Sequence, residues 1–366
     1  MNYSNSGPAT RKRLPVGVRR ARQGSGGRLG LMAESMKTFS LQAPMRFAVD
    51  EVAKPQQSEL GPGDVLLKMI TGGICGSDIP YFRGNIGDRV AGGRDFGKAN
   101  EGFISTPGTP MHEILGEVVA TRDPHHQVGD RVVGWSLNYQ GLRPYVITPG
   151  HEVVRYDERW TPDVAINLQP LACVLYAVQR LGDVRGKRVA VLGQGPIGLM
   201  FARLLKEAGA AHVTGIDPID HSAAAEAFGV EEFLQVNSHY WAARLGDADR
   251  PDLIVEAVGH NSYTLNDAIT AVASGGTIFG FGVPDDPSQS LNFFDFLHKD
   301  LTLISGLTRD HQNMLRKADA YLQNDPKLAS VLTTDKFAMD DLEQVQTAYD
   351  RANAAQTGRL KVVLSR

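Results

Sequence analysis

The stretch Lys187-Arg188-Val189-Ala190-Val191-Leu192-Gly193-Gln194-Gly195-Pro196-Ile197-Gly198 constrains the fold of this chain more than any other. A run of β-forming apolar residues leads directly into Gly-x-Gly-x-x-Gly. Ile197, Met200, Phe201, Leu204 and Leu205 then recur at helix spacing. Strand, tight turn and helix follow one another, and each glycine has its own reason. Gly193 permits the turn, Gly195 lets a pyrophosphate approach the backbone, and Gly198 lets helix and strand pack closely. The helix N-terminus, opening at Pro196 and Ile197, presents N–H groups and partial positive charge to the phosphates. A second strand at His212–Asp217, a helix around 223–228 and strands at Leu253–Glu256 and 276–281 continue the alternation. The prediction is an α/β fold with a doubly wound parallel sheet.

Asp217 ends the second strand, 24 positions after Gly193. Its carboxylate is placed to accept hydrogen bonds from a ribose 2′-hydroxyl and to repel a 2′-phosphate. No arginine follows in Pro218-Ile219-Asp220-His221. NAD is therefore the expected dinucleotide rather than NADP.

Ahead of this half, from 37 to about 156, short β-rich runs are broken by glycine and proline. Asp64-Val65-Leu66-Leu67-Lys68-Met69-Ile70 and Asp130-Arg131-Val132-Val133-Gly134-Trp135 are examples. They read as strands of a barrel-like β domain. Between Arg83 and Pro110 the sequence has no clear period and reads as a long loop. Beyond Arg309 a helix over 312–322 and a strand over 360–364 return to the first domain.

The first 35 residues carry Arg11, Lys12, Arg13, Arg19, Arg20, Arg22 and Arg28 and no acid before Glu34. They read as a basic, disordered arm or as the product of an upstream start codon, with the natural start near Met32 or Met36; a transit peptide and a nucleic-acid arm are the alternatives. Without those seven cations the net charge of −3 becomes −10. Such a body repels phosphate backbones, so nucleic acid is not an expected partner. No apolar run reaches the roughly 18 residues of a membrane span. Two cysteines, Cys75 and Cys173, cannot make a disulfide framework or a four-cysteine zinc knot, and a reducing cytoplasm is the simplest setting.

The chemistry is concentrated in Gly72-Gly73-Ile74-Cys75-Gly76-Ser77-Asp78-Ile79-Pro80-Tyr81 and in Met111-His112-Glu113-Ile114-Leu115-Gly116-Glu117-Val118. With Val128-Gly129-Asp130-Arg131-Val132, the glycine turn, Asp252-Leu253-Ile254-Val255-Glu256-Ala257-Val258-Gly259 and Ser274-Gly275-Gly276-Thr277, the chain from about Lys37 onward resembles the zinc-type medium-chain dehydrogenase/reductase superfamily. Within it, sorbitol, threonine and sugar dehydrogenases are the most similar. The resemblance implies a GroES-like catalytic domain over 36–165 and 310–366, a Rossmann domain over 166–309, and a cleft between them.

It also implies roles. Cys75 and His112 match the first two catalytic zinc ligands, and Glu113 matches a carboxylate near the metal. The third ligand position is Gln169, where polyol dehydrogenases have glutamate and alcohol dehydrogenases cysteine. A neutral amide leaves more positive charge on zinc but holds it less firmly than a carboxylate, so Glu113 is expected to serve as a fourth or alternating ligand. Ser77 matches the hydroxyl that passes the alcohol proton outward, and Asp78 supports the metal shell. Tyr81 and Arg309 match positions near bound polyol; both are equally readable as surface residues. Val258, Gly282, Val283 and Leu307 match cofactor-lining positions.

Two decoys compete. Pro149-Gly150-His151-Glu152 resembles the family's usual histidine motif, but only His112 is followed by Gly116-x-Val118. Cys173 lies one helical turn past Gln169 and reads as a buried small hydrophobe. The family's relay histidine, five positions after the cysteine, is replaced by Pro80, and the structural-zinc lobe is missing between Trp135 and Tyr145. The expected activity is hydride transfer between NAD and a secondary alcohol of a polyol, sugar or hydroxylated small metabolite, with one catalytic zinc. The alternatives are a zinc-free quinone-reductase-like enzyme and a cofactor-binding pseudoenzyme. The strand expected at 301–306 suggests a homodimer or homotetramer.

Overall fold

Six parallel strands follow the glycine turn's prediction in a computed structural model, which describes residues 34–84, 106–261, 263–285 and 288–366. The basic arm and most of the loop after Arg83 lie outside these residues. The chain opens with an antiparallel hairpin, β1 (Ser35–Ala43) and β2 (Arg46–Ala53). It continues through β3 (Asp64–Gly73), β4 (Glu113–Thr121), β5 (Arg131–Trp135), β6 (Tyr145–Pro149) and β7 (Val153–Arg155). The parallel sheet comprises β8 (Arg188–Leu192), β9 (His212–Asp217), β10 (Glu232–Gln235), β11 (Leu253–Glu256), β12 (Thr277–Gly280) and β13 (Thr302–Ser305). Finally β14 (Thr333–Ala338) and β15 (Lys361–Ser365) return to β3, giving a second sheet in the order β14-β15-β3-β4-β5-β7, with β6 paired to β3.

The parallel sheet runs β10-β9-β8-β11-β12-β13, so the strand order reverses beside β8. Ligands of such sheets lie outside the carboxyl ends of the strands at that reversal. β8 and β11 are nearly continuous apolar runs because helices cover both of their faces. Gly193 has φ +86°, the left-handed conformation the turn needs. A Cβ on Gly198 would sit 1.7 Å from the Gly193 carbonyl oxygen, so only glycine lets the helix Pro196–Glu207 close onto its strand.

The helix Leu168–Leu181 joins the two sheets. Its buried face shares one apolar cluster with Leu115, Val133 and Val154 on one side and Val189, Val191 and Phe201 on the other. Among the described residues, Pro162–Leu181 is the one helical stretch long and apolar enough by composition to cross a membrane, and more than half of it is buried in this core.

A polar clamp ties the returning chain to the β-rich part. His311 opens the helix His311–Asn324; its Nδ1 pairs with the buried Glu152 carboxylate and its Nε2 donates to the Thr308 carbonyl at 2.9 Å. With acceptors on both nitrogens, the ring is held as an imidazolium, and it stacks on Trp135 at 4.2 Å between centroids. Burial alone would lower the His311 pKa, but Glu152 outweighs it and raises the value. A raised folded pKa stabilises fully below the unfolded value of about 6.5 and is lost as pH rises through the folded value. His311→Gln is therefore expected to lower unfolding free energy more at about pH 6 than at about pH 9. Equal losses in denaturant melts at the two pH values would contradict the clamp.

Candidate active site

β3 ends in Gly72-Gly73, and the chain leaves it through Ile74, whose N–H donates to the Val362 carbonyl at 3.0 Å. Cys75 then caps a single 3-10 turn, Gly76–Asp78. The Asp78 side chain is fully buried and both its oxygens are engaged. Oδ2 accepts the Cys75 N–H at 2.9 Å, and Oδ1 meets His112 Nδ1 at 2.9 Å. A carboxylate on Nδ1 fixes the tautomer and leaves the Nε2 lone pair free to bind a cation. His112 immediately precedes β4, and Glu113 is the first residue of that strand.

The Cys75 thiol, a His112 ring nitrogen and a Glu113 carboxylate oxygen all lie within 4.8 Å of one another. Among the described residues, this is the group that brings three such donors together. Glu113 is fully buried and forms an ion pair with Lys361, the first residue of β15, which is itself buried. Gly73 makes room for that pair: a Cβ there would stand 2.3 Å from Glu113 Oε2 and 2.9 Å from the Lys361 Cε.

Burial disfavours charge on both cations of the site, and in each the neighbouring anions prevail. His112 is raised well above its ordinary value by Asp78 and Cys75. Lys361 is raised chiefly by Glu113, then Cys75. Once a metal takes the place of the His112 proton, a Cys75 thiolate, Asp78 and Glu113 carry three negative charges against one on Lys361. The deficit equals the charge of a divalent cation. Sulfur, imidazole and carboxylate donors in this number suit zinc.

Gln169 is the second residue of the helix Leu168–Leu181 and is buried. Its Nε2 donates to Cys173 Sγ at 3.9 Å, which leaves the amide oxygen as the atom able to bind a cation. Burial pushes the Cys173 thiol up to about 12, and Cys75, His112 and Glu113 all act on it electrostatically. This end of the helix therefore lies within electrostatic range of the three donors. His151 is different: its side chain is exposed and pairs with Glu152, which serves the His311 clamp.

Ser77 is half-buried on the Cys75 turn. Tyr81, on the following helical turn, packs against Tyr139 at 5.4 Å between ring centroids, and Tyr139 packs against the His112 ring at 4.9 Å. Arg309 is exposed, two residues before the His311 clamp. The residues expected to bind the dinucleotide gather at the carboxyl ends of the parallel strands. A Cβ on Gly195 would meet nothing within 4 Å, so open space lies where a pyrophosphate would pass. The Asp217 carboxylate accepts N–H bonds from Gln194 at 2.7 Å and Ile219 at 2.8 Å, tying the turn to the end of β9. Val258, Val283 and Leu307 follow β11, β12 and β13 and expose apolar surface. A Cβ on Gly282 would stand 2.1 Å from the Gly259 nitrogen, so two of these loops touch through glycine.

The sequence reading missed Lys361. A lysine opening the apolar run Lys361-Val362-Val363-Leu364 was a usable signal, since a buried ammonium requires an anionic partner.

Residues 61–154 match the alcohol dehydrogenase GroES-like domain family, and residues 196–324 match the zinc-binding dehydrogenase family. The chain is 26% identical over 339 residues to L-threonine 3-dehydrogenase of Legionella pneumophila (strain Corby), covering 84% of this chain and 94% of the relative. It is 29% identical over 261 residues to sorbitol dehydrogenase of Rattus norvegicus, covering 62% and 69%. Its fold matches alcohol dehydrogenase TADH from Thermus sp. ATN1 with a TM-score of 0.72 and 25% identity, over 90% of this chain and all of that one.

Lys361→Met leaves the Glu113 carboxylate buried without its cation. Breaking a buried pair costs about 3–5 kcal/mol, and a bound divalent cation would replace the lost charge. The variant is expected to lose that much stability when metal-free and clearly less when zinc-loaded. Equal losses in paired thermal melts would contradict the shared electrostatics.

Proposed function

This chain belongs to the zinc-type medium-chain alcohol dehydrogenase superfamily, and on that premise we propose that it transfers a hydride between NAD and a secondary alcohol of a polyol, sugar or other hydroxylated small metabolite. The observation that carries the proposal is the convergence of Cys75, His112 and Glu113, held from behind by Asp78 and Lys361. Cys75, His112 and Gln169 would hold one catalytic zinc, with Glu113 as a fourth or alternating donor. Zinc, when bound, supplies Lewis acidity that lowers the pKa of the substrate hydroxyl. NAD, when bound, supplies the hydride acceptor.

The chain's own residues do the rest. Asp78 keeps His112 Nε2 directed at the metal position. Ser77, two residues past Cys75, takes the hydroxyl proton and passes its own outward. Gly193, Gly195 and Gly198 admit the pyrophosphate to the helix N-terminus at Pro196 and Ile197. Asp217 orients the adenosine ribose and disfavours a 2′-phosphate. Val258, Gly282, Val283 and Leu307 line the nicotinamide end. Tyr81 and Arg309 are the proposed substrate contacts; Tyr81 is connected to the metal position through Tyr139 and His112.

The domain scheme of 36–165 with 310–366 around 166–309 belongs to the same proposal, supported by the two sheets. So does assembly as a homodimer or homotetramer. β13 is the outer strand of the parallel sheet, and Leu303 on it and Phe293, Phe294 and Leu297 before it are exposed. An apolar strand edge of that kind invites pairing with a second copy. The two free cysteines favour a reducing, cytoplasmic setting.

A panel of polyols, aldoses and amino-alcohols, assayed with NAD and NADP beside metal analysis, tests the reading. About one zinc per chain, removed together with activity by a chelator, and a preference for NAD of at least about tenfold are expected. NAD binding with neither zinc nor turnover would point to a pseudoenzyme instead. Glu113→Ala is expected to lower both zinc occupancy and turnover. Full zinc content with full turnover in that variant would remove Glu113 from the metal shell.

A further inference from the structure

Pro80 has no proton to carry, and the Ser77 hydroxyl sits half-buried on its turn. A hydroxyl is a poor base and holds no extra proton, so a proton reaching Ser77 is passed on to a better acceptor. We infer that His260, aligned by Asp285, is that outer proton carrier, reaching across from the nucleotide-binding sheet to the Cys75 turn. The inference rests on the hydride-transfer reading above.

His260 lies in the loop after β11, two residues past Val258. Its Nδ1 pairs with Asp285 Oδ1 at 3.0 Å. Its Nε2 lies only 3.5 Å from the point a Cβ on Gly76 would occupy. Gly76 is the direct neighbour of Ser77, and adjacent Cα atoms are about 3.8 Å apart. Nε2 thus faces the turn that carries Ser77, and the proposed path runs from the Ser77 hydroxyl to Nε2 through hydroxyl or water links. An Nδ1–H donated to a carboxylate leaves the Nε2 lone pair toward the turn, the tautomer of a proton acceptor. Asp285 also balances the charge of the imidazolium once a proton arrives. The two side chains are 23% and 27% exposed, wet enough to release a proton yet fixed by their mutual bond.

The backbone indicates that this placement is imposed. His260 has φ +59° and follows Gly259 at +60°, so a bulky residue is held in the left-handed region. Its N–H donates to the Val283 carbonyl at 2.9 Å, which anchors the strained residue to the loop carrying Asp285. Strain persists where surrounding structure over-determines it, and such places cluster at functional sites.

The proton balance is complete. As the alcohol becomes a carbonyl it loses a hydride to NAD and a proton to Ser77. Ser77 passes its own proton through the bridging hydroxyl or water to His260 Nε2, and the imidazolium returns a proton to solvent. No further oxidant or reductant is involved. Asp285 is a positioning residue, and Pro80 marks where the turn itself offers no carrier.

The test compares His260→Ala and His260→Asn with wild type for alcohol oxidation at saturating substrate and NAD, with NADH affinity by fluorescence and zinc content measured alongside. His260→Ala is expected to lower kcat at least about tenfold, the low side of what a positioned acid–base group contributes, with partial restoration by added imidazole. His260→Asn keeps a donor toward Asp285 but carries no proton, and it is expected to stay equally slow. Zinc content and NADH affinity should remain near wild type in both. The inference is overturned by full kcat in His260→Ala or by recovery in His260→Asn. Loss of zinc, or a defect confined to NADH affinity, overturns it equally. A wild-type protein without zinc or alcohol turnover removes the proposed function itself, whereas active wild type with unimpaired variants removes only the proton path.

Discussion

The Asp78 carboxylate, with no exposure to solvent, holds together two segments 34 residues apart. One oxygen fixes the backbone of Cys75 and the other fixes the ring of His112. Removing a carboxylate from water costs several kcal/mol, and only good partners offset it. Here those partners are the groups whose placement decides whether a metal can be held. The same logic applies one layer out, where Glu113 and Lys361 tie β4 to β15. Both buried carboxylates are thus anchored by the elements that must meet at the site, so the fold and the donor geometry stand or fall together.

The nucleotide half reaches this centre through glycine. Gly193 takes a left-handed turn, Gly198 lets a helix touch its strand, and Gly259 and Gly282 let two loops pack backbone to backbone. Beside that contact, His260 comes within van der Waals reach of Gly76. Close approach without bulk, rather than any single strong bond, brings the loop after β11 to the Cys75 turn.

Much of this was legible in the sequence because it is local. The strand-turn-helix at Gly193 is encoded within twelve residues, and Cys75, Ser77 and Asp78 occupy one turn. The strand that follows His112 is what set it ahead of His151 in the sequence. In the structure His112 joins Cys75, while Glu152 beside His151 is taken by His311. What the sequence did not disclose are contacts across long separations between ordinary-looking residues. Lys361 pairs with Glu113 across 248 positions, and His260 approaches Gly76 across 184. Neither belongs to a short pattern; each depends on how the final strand and the loop after β11 are brought back to β3.

The central claim is that a single thiolate, from Cys75, completes its metal shell with nitrogen and oxygen donors while Cys173 stays protonated nearby. Zinc-edge X-ray absorption on the zinc-loaded protein tests it most directly. The account predicts one sulfur neighbour at about 2.3 Å and the remaining neighbours as nitrogen or oxygen at about 2.0–2.2 Å. Two sulfur neighbours would place Cys173 in the shell, and none would remove Cys75 from it; either result contradicts the site as derived.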